Sequence, residues 1–116
     1  MALEGTLEAD VSTSGIDDAV TFEFTVTNTG SSAAELQFPD AAKAEFVVED
    51  EGREVWRFSD GRMFAQVVSS ERLAPDESAT YEAEWSDPQS GEFTVVAELR
   101  ARETTCEART SITVPE

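Results

Sequence analysis

At 116 residues the chain has room for one two-layer core and not for two. Twenty-five acidic residues against eight basic ones give a formal net charge of −17, which disfavours nucleic acid and anionic membranes as partners. Histidine is absent and cysteine occurs once, so neither a Ser–His–Asp site nor an intrachain disulfide can be assembled.

Period-two alternation begins at once. Leu3, Leu7, Ala9 and Val11 face one way, and Glu4, Thr6, Glu8 and Asp10 the other. After Ser14-Gly15, Val20, Phe22, Phe24 and Val26 alternate with Thr21, Glu23, Thr25 and Thr27, a half-buried strand closed by Asn28-Thr29-Gly30-Ser31. Shorter runs follow at Ala34–Phe38 and Glu45–Glu49, with the one possible helical turn between them at Pro39–Ala44. Asp50-Glu51-Gly52 reads as a hairpin into Val55-Trp56-Arg57-Phe58. That strand sends Trp56 and Phe58 to one face and Val55 and Arg57 to the other, before Ser59-Asp60-Gly61 turns the chain. Beyond Ala74-Pro75-Asp76-Glu77, Tyr81, Ala83 and Trp85 alternate with Glu82 and Glu84. Phe93–Leu99 and Cys106–Val114 complete the pattern. The spacing predicts an all-β, immunoglobulin-like β-sandwich of two antiparallel sheets, about eight or nine strands in a single domain over residues 1–116. Trp56, Trp85, Phe22, Phe24 and Phe93 are its expected large core residues, and Cys106 a small buried one.

The chemistry of an enzyme is missing. No Gly-rich phosphate loop follows a strand, and carboxylate pairs carry little information in so acidic a chain. Glu49-Asp50-Glu51-Gly52 and Asp17-Asp18 lack the staggered ligand spacing of a calcium loop. No catalytic residue, metal or cofactor is therefore expected. The start Met1-Ala2-Leu3-Glu4 has no signal-peptide character and no window approaches a membrane span, so a cytoplasmic protein is expected. The acidic excess suits a high-salt cytoplasm, where screening relieves self-repulsion. Outward glutamates also discourage edge-to-edge strand pairing, and a monomer is the default.

Several motifs stand in one order: Asn28 after its strand, Leu36-Gln37-Phe38-Pro39, Phe46-Val47-Val48 with Gly52, Val55-Trp56-Arg57-Phe58-Ser59, Met63-Phe64-Ala65-Gln66 and Leu73-Ala74-Pro75. Together, over roughly residues 20–99, they resemble the intracellular proteinase inhibitor family, the BsuPI-type domain, in an acidic, haloarchaeal-like form. Three positions depart from the family pattern: Phe58 replaces a tryptophan, Asp76-Glu77 replaces a glycine after Pro75, and Glu45 replaces an aspartate. The resemblance implies a cytoplasmic, non-enzymatic inhibitor of a subtilisin-like serine protease. It does not identify the inhibiting loop. An inhibitor of this kind needs a rigid, protruding, extended segment. Arg57, Ser59, Asp60, Gly61, Arg62, Met63 and Phe64 form the first candidate, and Pro39, Asp40 and Lys43 the second. The rival expectation is a structural or adaptor module of the same fold, and a third is a small-ligand binder with a pocket between its sheets.

Overall fold

Alternation becomes strand almost wherever it occurs. The computed structural model describes residues 3–12, 18–39, 42–59, 68–102 and 106–115. Among them are nine strands and no helix: β1 (Leu3–Ser12), β2 (Ala19–Asn28), β3 (Ala34–Phe38), β4 (Ala44–Asp50), β5 (Arg53–Arg57), β6 (Ser69–Leu73), β7 (Ser78–Ser86), β8 (Gly91–Leu99) and β9 (Glu107–Val114). Every ladder is antiparallel. The helical turn expected at Pro39–Ala44 does not form among the described residues, because β4 begins at Ala44 and residues 40–41 lie outside them.

Hydrogen bonding divides the strands into three sheets: β1-β2-β7, β5-β4-β8-β9 and the pair β3-β6. The pair is a separate strip, but its β3 side is tied to the segment after β8. Arg102 N–H donates to Gln37 C=O at 2.8 Å, and Arg100 N–H donates to Lys43 C=O at 2.9 Å. β6 was not legible as a strand, since Ser69-Ser70-Glu71-Arg72-Leu73 carries a single apolar residue; its pairing with β3 makes it one.

The core joins the sheets through aromatic rings. Val20, Phe22, Phe24 and Val26 on β2 are fully buried, and Phe22 stacks on Phe46 of β4 with centroids 6.0 Å apart. Phe24 meets Phe46 edge-on at 6.4 Å, and Trp85 meets Phe93 edge-on at 5.3 Å. Such ring pairs contribute about 0.5–1.5 kcal/mol each beyond their area burial. Trp56 is not the central core residue expected of it. Its strand β5 is the sheet's edge, so the indole is half-buried and stacks on Trp85 at 6.2 Å along the core's margin. Cys106 is buried beside β1, where a Cβ added at Gly5 would sit 2.9 Å from both Cys106 Sγ and a Phe24 ring carbon. Only glycine lets β1 approach β9 this closely.

Among the described residues the turns at Glu51-Gly52, Asp76 and Asp87 use left-handed backbone. Glu51 (φ 50°) and Gly52 (φ 83°) form the two-residue link between paired Asp50 and Arg53, the arrangement that matches strand twist. Asp76 adopts φ 69° after Pro75, and Glu77 N–H donates to Ala74 C=O at 2.9 Å. Aspartate here supplies the conformation for which glycine is the usual residue.

Asn28 locks the Asp76 turn to the one that follows β2. Its side chain is fully buried and donates to Ser32 C=O at 2.8 Å and Leu73 C=O at 2.9 Å, while its Oδ1 accepts from Gly30 N–H at 2.9 Å. Its own backbone donates to Glu77 C=O and accepts from Asp76 N–H. Asn28→Ala strands buried backbone groups and is expected to cost about 2–3 kcal/mol in denaturant unfolding. Asn28→Asp keeps the Gly30 bond but turns a carboxylate toward two carbonyls, and is expected to cost at least as much. A loss below about 0.5 kcal/mol in either would contradict the anchoring role.

Candidate functional site

β4 and β5 build the point from which the chain leaves toward residues 60–67. The β4–β5 ladder slips by one residue: Val48 faces Trp56 while Glu49 faces Glu54, leaving Val55 without an opposing residue. This bulge keeps Trp56 and Phe58 on the core side and Arg57 on the outer side, beside Val47. Phe58 N–H then donates to Phe46 C=O at 2.9 Å, carrying the pairing one residue past the strand. Phe58 packs edge-on against Phe46 at 5.9 Å and against Trp56 at 6.5 Å.

Glu45 completes the anchor from the outer face. Only 9% exposed, its Oε1 accepts from its neighbour Phe46 N–H at 3.1 Å and from Ser59 N–H at 3.1 Å. Its Oε2 accepts from the Ser59 hydroxyl and, at 3.3 Å, from Arg57 Nη1. Arg57 is held more firmly by Glu54, whose Oε1 receives Nε at 3.0 Å and Nη2 at 2.7 Å. Its guanidinium is raised above its ordinary basicity, first by that hydrogen bond, with burial opposing. Arg57 and Ser59, two of the predicted site residues, thus come together on one carboxylate. Asp60, Gly61, Arg62, Met63 and Phe64, and Asp40 of the second candidate, lie outside the described residues.

The rest of the second candidate sits elsewhere. Pro39 follows Phe38 and is partly buried, and Lys43 shares no partner with Arg57 or Ser59. The Lys43 ammonium pairs with Glu71 Oε2 at 3.2 Å and lies 5.6 Å from the Phe38 ring centroid. Glu71 Oε1 accepts from the Tyr81 hydroxyl at 3.2 Å. Sequence reasoning missed Glu71 as the partner of both Lys43 and Tyr81, and it marked Glu45 only as a family departure. The available signal for Glu45 was a lone carboxylate inside the apolar stretch Ala44–Val48.

Two shallow depressions flank Phe58. One of about 300 Å³ is lined by Lys43, Phe46, Phe58, Tyr81 and Glu82, among others. The second, of about 340 Å³, is lined by Thr21, Phe58, Glu82, Ala83 and Glu84. A wider one of about 580 Å³ lies across the ends of β4, β8 and β9, with Glu49, Asp50, Glu51 and Glu92 among its walls. Among the described residues no group of three or more His, Cys, Asp or Glu side chains is placed to hold a metal ion. Among them, too, no helix is long and apolar enough to cross a membrane.

Burial, and then the Glu71 carboxylate, push the Tyr81 phenol well above its usual range. An unfolded tyrosine titrates near 10, so the folded chain retains a proton that the unfolded chain releases above about pH 10. Stability conferred by the neutral phenol is complete below that pH and is lost as pH rises further. Tyr81→Phe is expected to remove this alkaline slope, at a cost of about 1 kcal/mol at neutral pH for the lost hydrogen bond. The Cys106 thiol, also pushed up by burial, adds to the slope of both proteins and cancels in the comparison. Denaturant unfolding from pH 8 to 11.5 checks this; equal slopes would contradict it.

Comparison with known proteins follows the same outline. The sequence profile of the BsuPI family, described as intracellular proteinase inhibitor, matches residues 7–104. No curated protein sequence matches the chain. Among solved structures, a Bordetella pertussis protein assigned as ApaA superposes with a TM-score of 0.64 at 17% identity, covering 99% of this chain and 95% of that one. A CARDB domain from Pyrococcus furiosus, determined in complex with di-metal ions, gives 0.52 at 15% identity, covering 98% and 93%. A β-glucosidase from Erythrobacter marinus gives 0.51 at 16% identity, covering 97% of this chain and 15% of that one. These likenesses concern the fold alone. The profile match spans most of the chain, which therefore belongs to the BsuPI intracellular proteinase inhibitor family.

Proposed function

We propose that this protein inhibits a subtilisin-like serine protease of the cytoplasm by binding it through the segment that leaves β5. The single observation that supports this most is the anchoring of Ser59. Its backbone N–H and its hydroxyl both end on the buried Glu45, and the preceding Phe58 N–H ends on Phe46. A segment that starts from a fixed point loses less entropy on binding, and such preorganisation is what separates a tight inhibitor from a substrate. In this proposal Asp60, Gly61, Arg62, Met63 and Phe64 meet the protease. Arg57 and Ser59 support them from behind, and Pro39, Asp40 and Lys43 are the alternative contact loop. An interface of the usual size, about 1,600 Å² in total, is larger than this one segment can bury.

The scaffold in this proposal is an immunoglobulin-like sandwich, with β1-β2-β7 as one layer and β5-β4-β8-β9, extended by β3-β6, as the other. The Phe22–Phe46 stacking and the Arg102–Gln37 bond support that grouping. The protein acts as a monomer in high salt, where its charge is screened.

Titration into a subtilisin-type protease at molar salt, followed with a chromogenic substrate, tests the proposal. Stoichiometric inhibition is expected, with at least a tenfold weaker inhibition constant for Arg62→Ala or Met63→Ala. No inhibition by an intact chain would overturn it and favour an adaptor role for the same fold.

A further inference from the structure

β7 is an edge strand blunted by charge alone. Among the described residues it pairs with β2 alone, through a ladder running from Ser78 to Ser86 with no register slip. It carries no proline, lysine or bulge, and of the devices that blunt an edge it has only the outward Glu82 and Glu84. The β1, β5 and β3 edges are better protected. β1 lies against β9, where a Cβ added at Gly5 would be 3.3 Å from Glu107 C=O. β5 is five residues long and bulged, and β3 is tied by Arg102. Alternate residues of β7 therefore offer N–H and C=O groups away from β2, in the geometry that accepts another strand.

The two sides of that edge differ in chemistry. On the outer side, Glu82 and Glu84 are exposed, and Glu82 stands in one cross-strand row with Glu23 and Glu8. On the inner side, Tyr81 and Ala83 border the depressions around Phe58 and Phe46. The lysine in the first depression is already paired with Glu71. A strand added beside β7 would place alternate side chains opposite Glu82 and Glu84, and the intervening ones against the Phe58 rim. A second copy of this chain is a poor occupant, because antiparallel β7–β7 pairing sets glutamate against glutamate.

We propose that the β7 edge is a strand-addition site for an extended segment of a partner protein in which basic and apolar residues alternate. The proposal does not rest on the protease reading, since it is argued from the β7 ladder, its two glutamates and the apolar residues beside them.

The probe is a fluorescein-labelled seven-residue peptide alternating lysine with valine, followed by anisotropy at 0.15 M salt. It is expected to bind at least tenfold more tightly than a scrambled peptide with lysines and valines in blocks. N-methylation of alternate backbone nitrogens, made in both possible registers, is expected to cost at least tenfold in one register. Glu82→Lys/Glu84→Lys is expected to cost at least tenfold, and Glu4→Lys/Glu8→Lys, the same charge change on β1, less than threefold. All four sites are exposed, and melting curves confirm that each variant folds. Equal weakening by the two double variants would mean diffuse charge attraction and overturn the proposal. So would equal binding of the scrambled peptide, or of both N-methylated peptides. Absence of binding at millimolar peptide, or dimerisation of the chain itself through β7, would overturn it too.

Discussion

Glu45 and Phe46 are neighbours on one strand, and between them they fix Phe58 and Ser59, the two residues that follow β5. Phe46 faces inward and meets Phe22, Phe24 and Phe58, so the two larger sheets and the end of β5 share one ring system. Glu45 faces outward and gathers Ser59 and Arg57. Alternation puts these two tasks on opposite faces of β4, which is possible only because β4 lies inside its sheet with β5 and β8 on either side. Glu45 stands directly opposite Glu98 on β8, so the Arg57 charge also relieves a like-charge contact. A neutral residue at position 45 would leave the Ser59 amide and hydroxyl without this partner.

Charge is the second organising constraint. Basic side chains are scarce, and three of them are committed to specific carboxylates: Arg57 to Glu54 and Glu45, Arg109 to Glu107, Lys43 to Glu71. The β1-β2-β7 sheet contains no basic residue of its own. Its row Glu8–Glu23–Glu82 sets three carboxylates opposite one another, an arrangement that costs stability unless ions screen it. Antiparallel β7–β7 pairing would set the glutamates of this face against one another.

Much of the fold was legible because one face of each long strand is apolar. β1, β2, β7, β8 and β9 declare their inward residues by simple alternation, and the Glu51-Gly52 hairpin by its turn residues. β6 was illegible because its strand character comes from β3 rather than from its own sequence. The rank of Trp56 was misjudged for a related reason: alternation says which face a residue takes, not whether its strand is central or at an edge. The candidate site was only half legible. Arg57 and Ser59 could be picked as neighbours in sequence, but their meeting on Glu45 depends on a bulge at Val55 that no residue type announces. Asn28 closed a strand in the sequence; that it joins two turns and the end of β6 emerges only from the packing of Ser32, Leu73 and Glu77 around it.

The central claim is that Glu45 pins the exit of β5, giving the segment beyond it a fixed origin. Amide-resolved hydrogen exchange of the free protein at molar salt tests this most directly, comparing the native chain with Glu45→Ala. The account predicts that the Phe58 and Ser59 amides exchange far more slowly than Glu51 and Gly52 in the exposed turn, and that Glu45→Ala abolishes the protection of Ser59 while Phe22 and Val95 stay protected. Ser59 exchanging as fast as Gly52 in the native chain, or unchanged by Glu45→Ala, would contradict it.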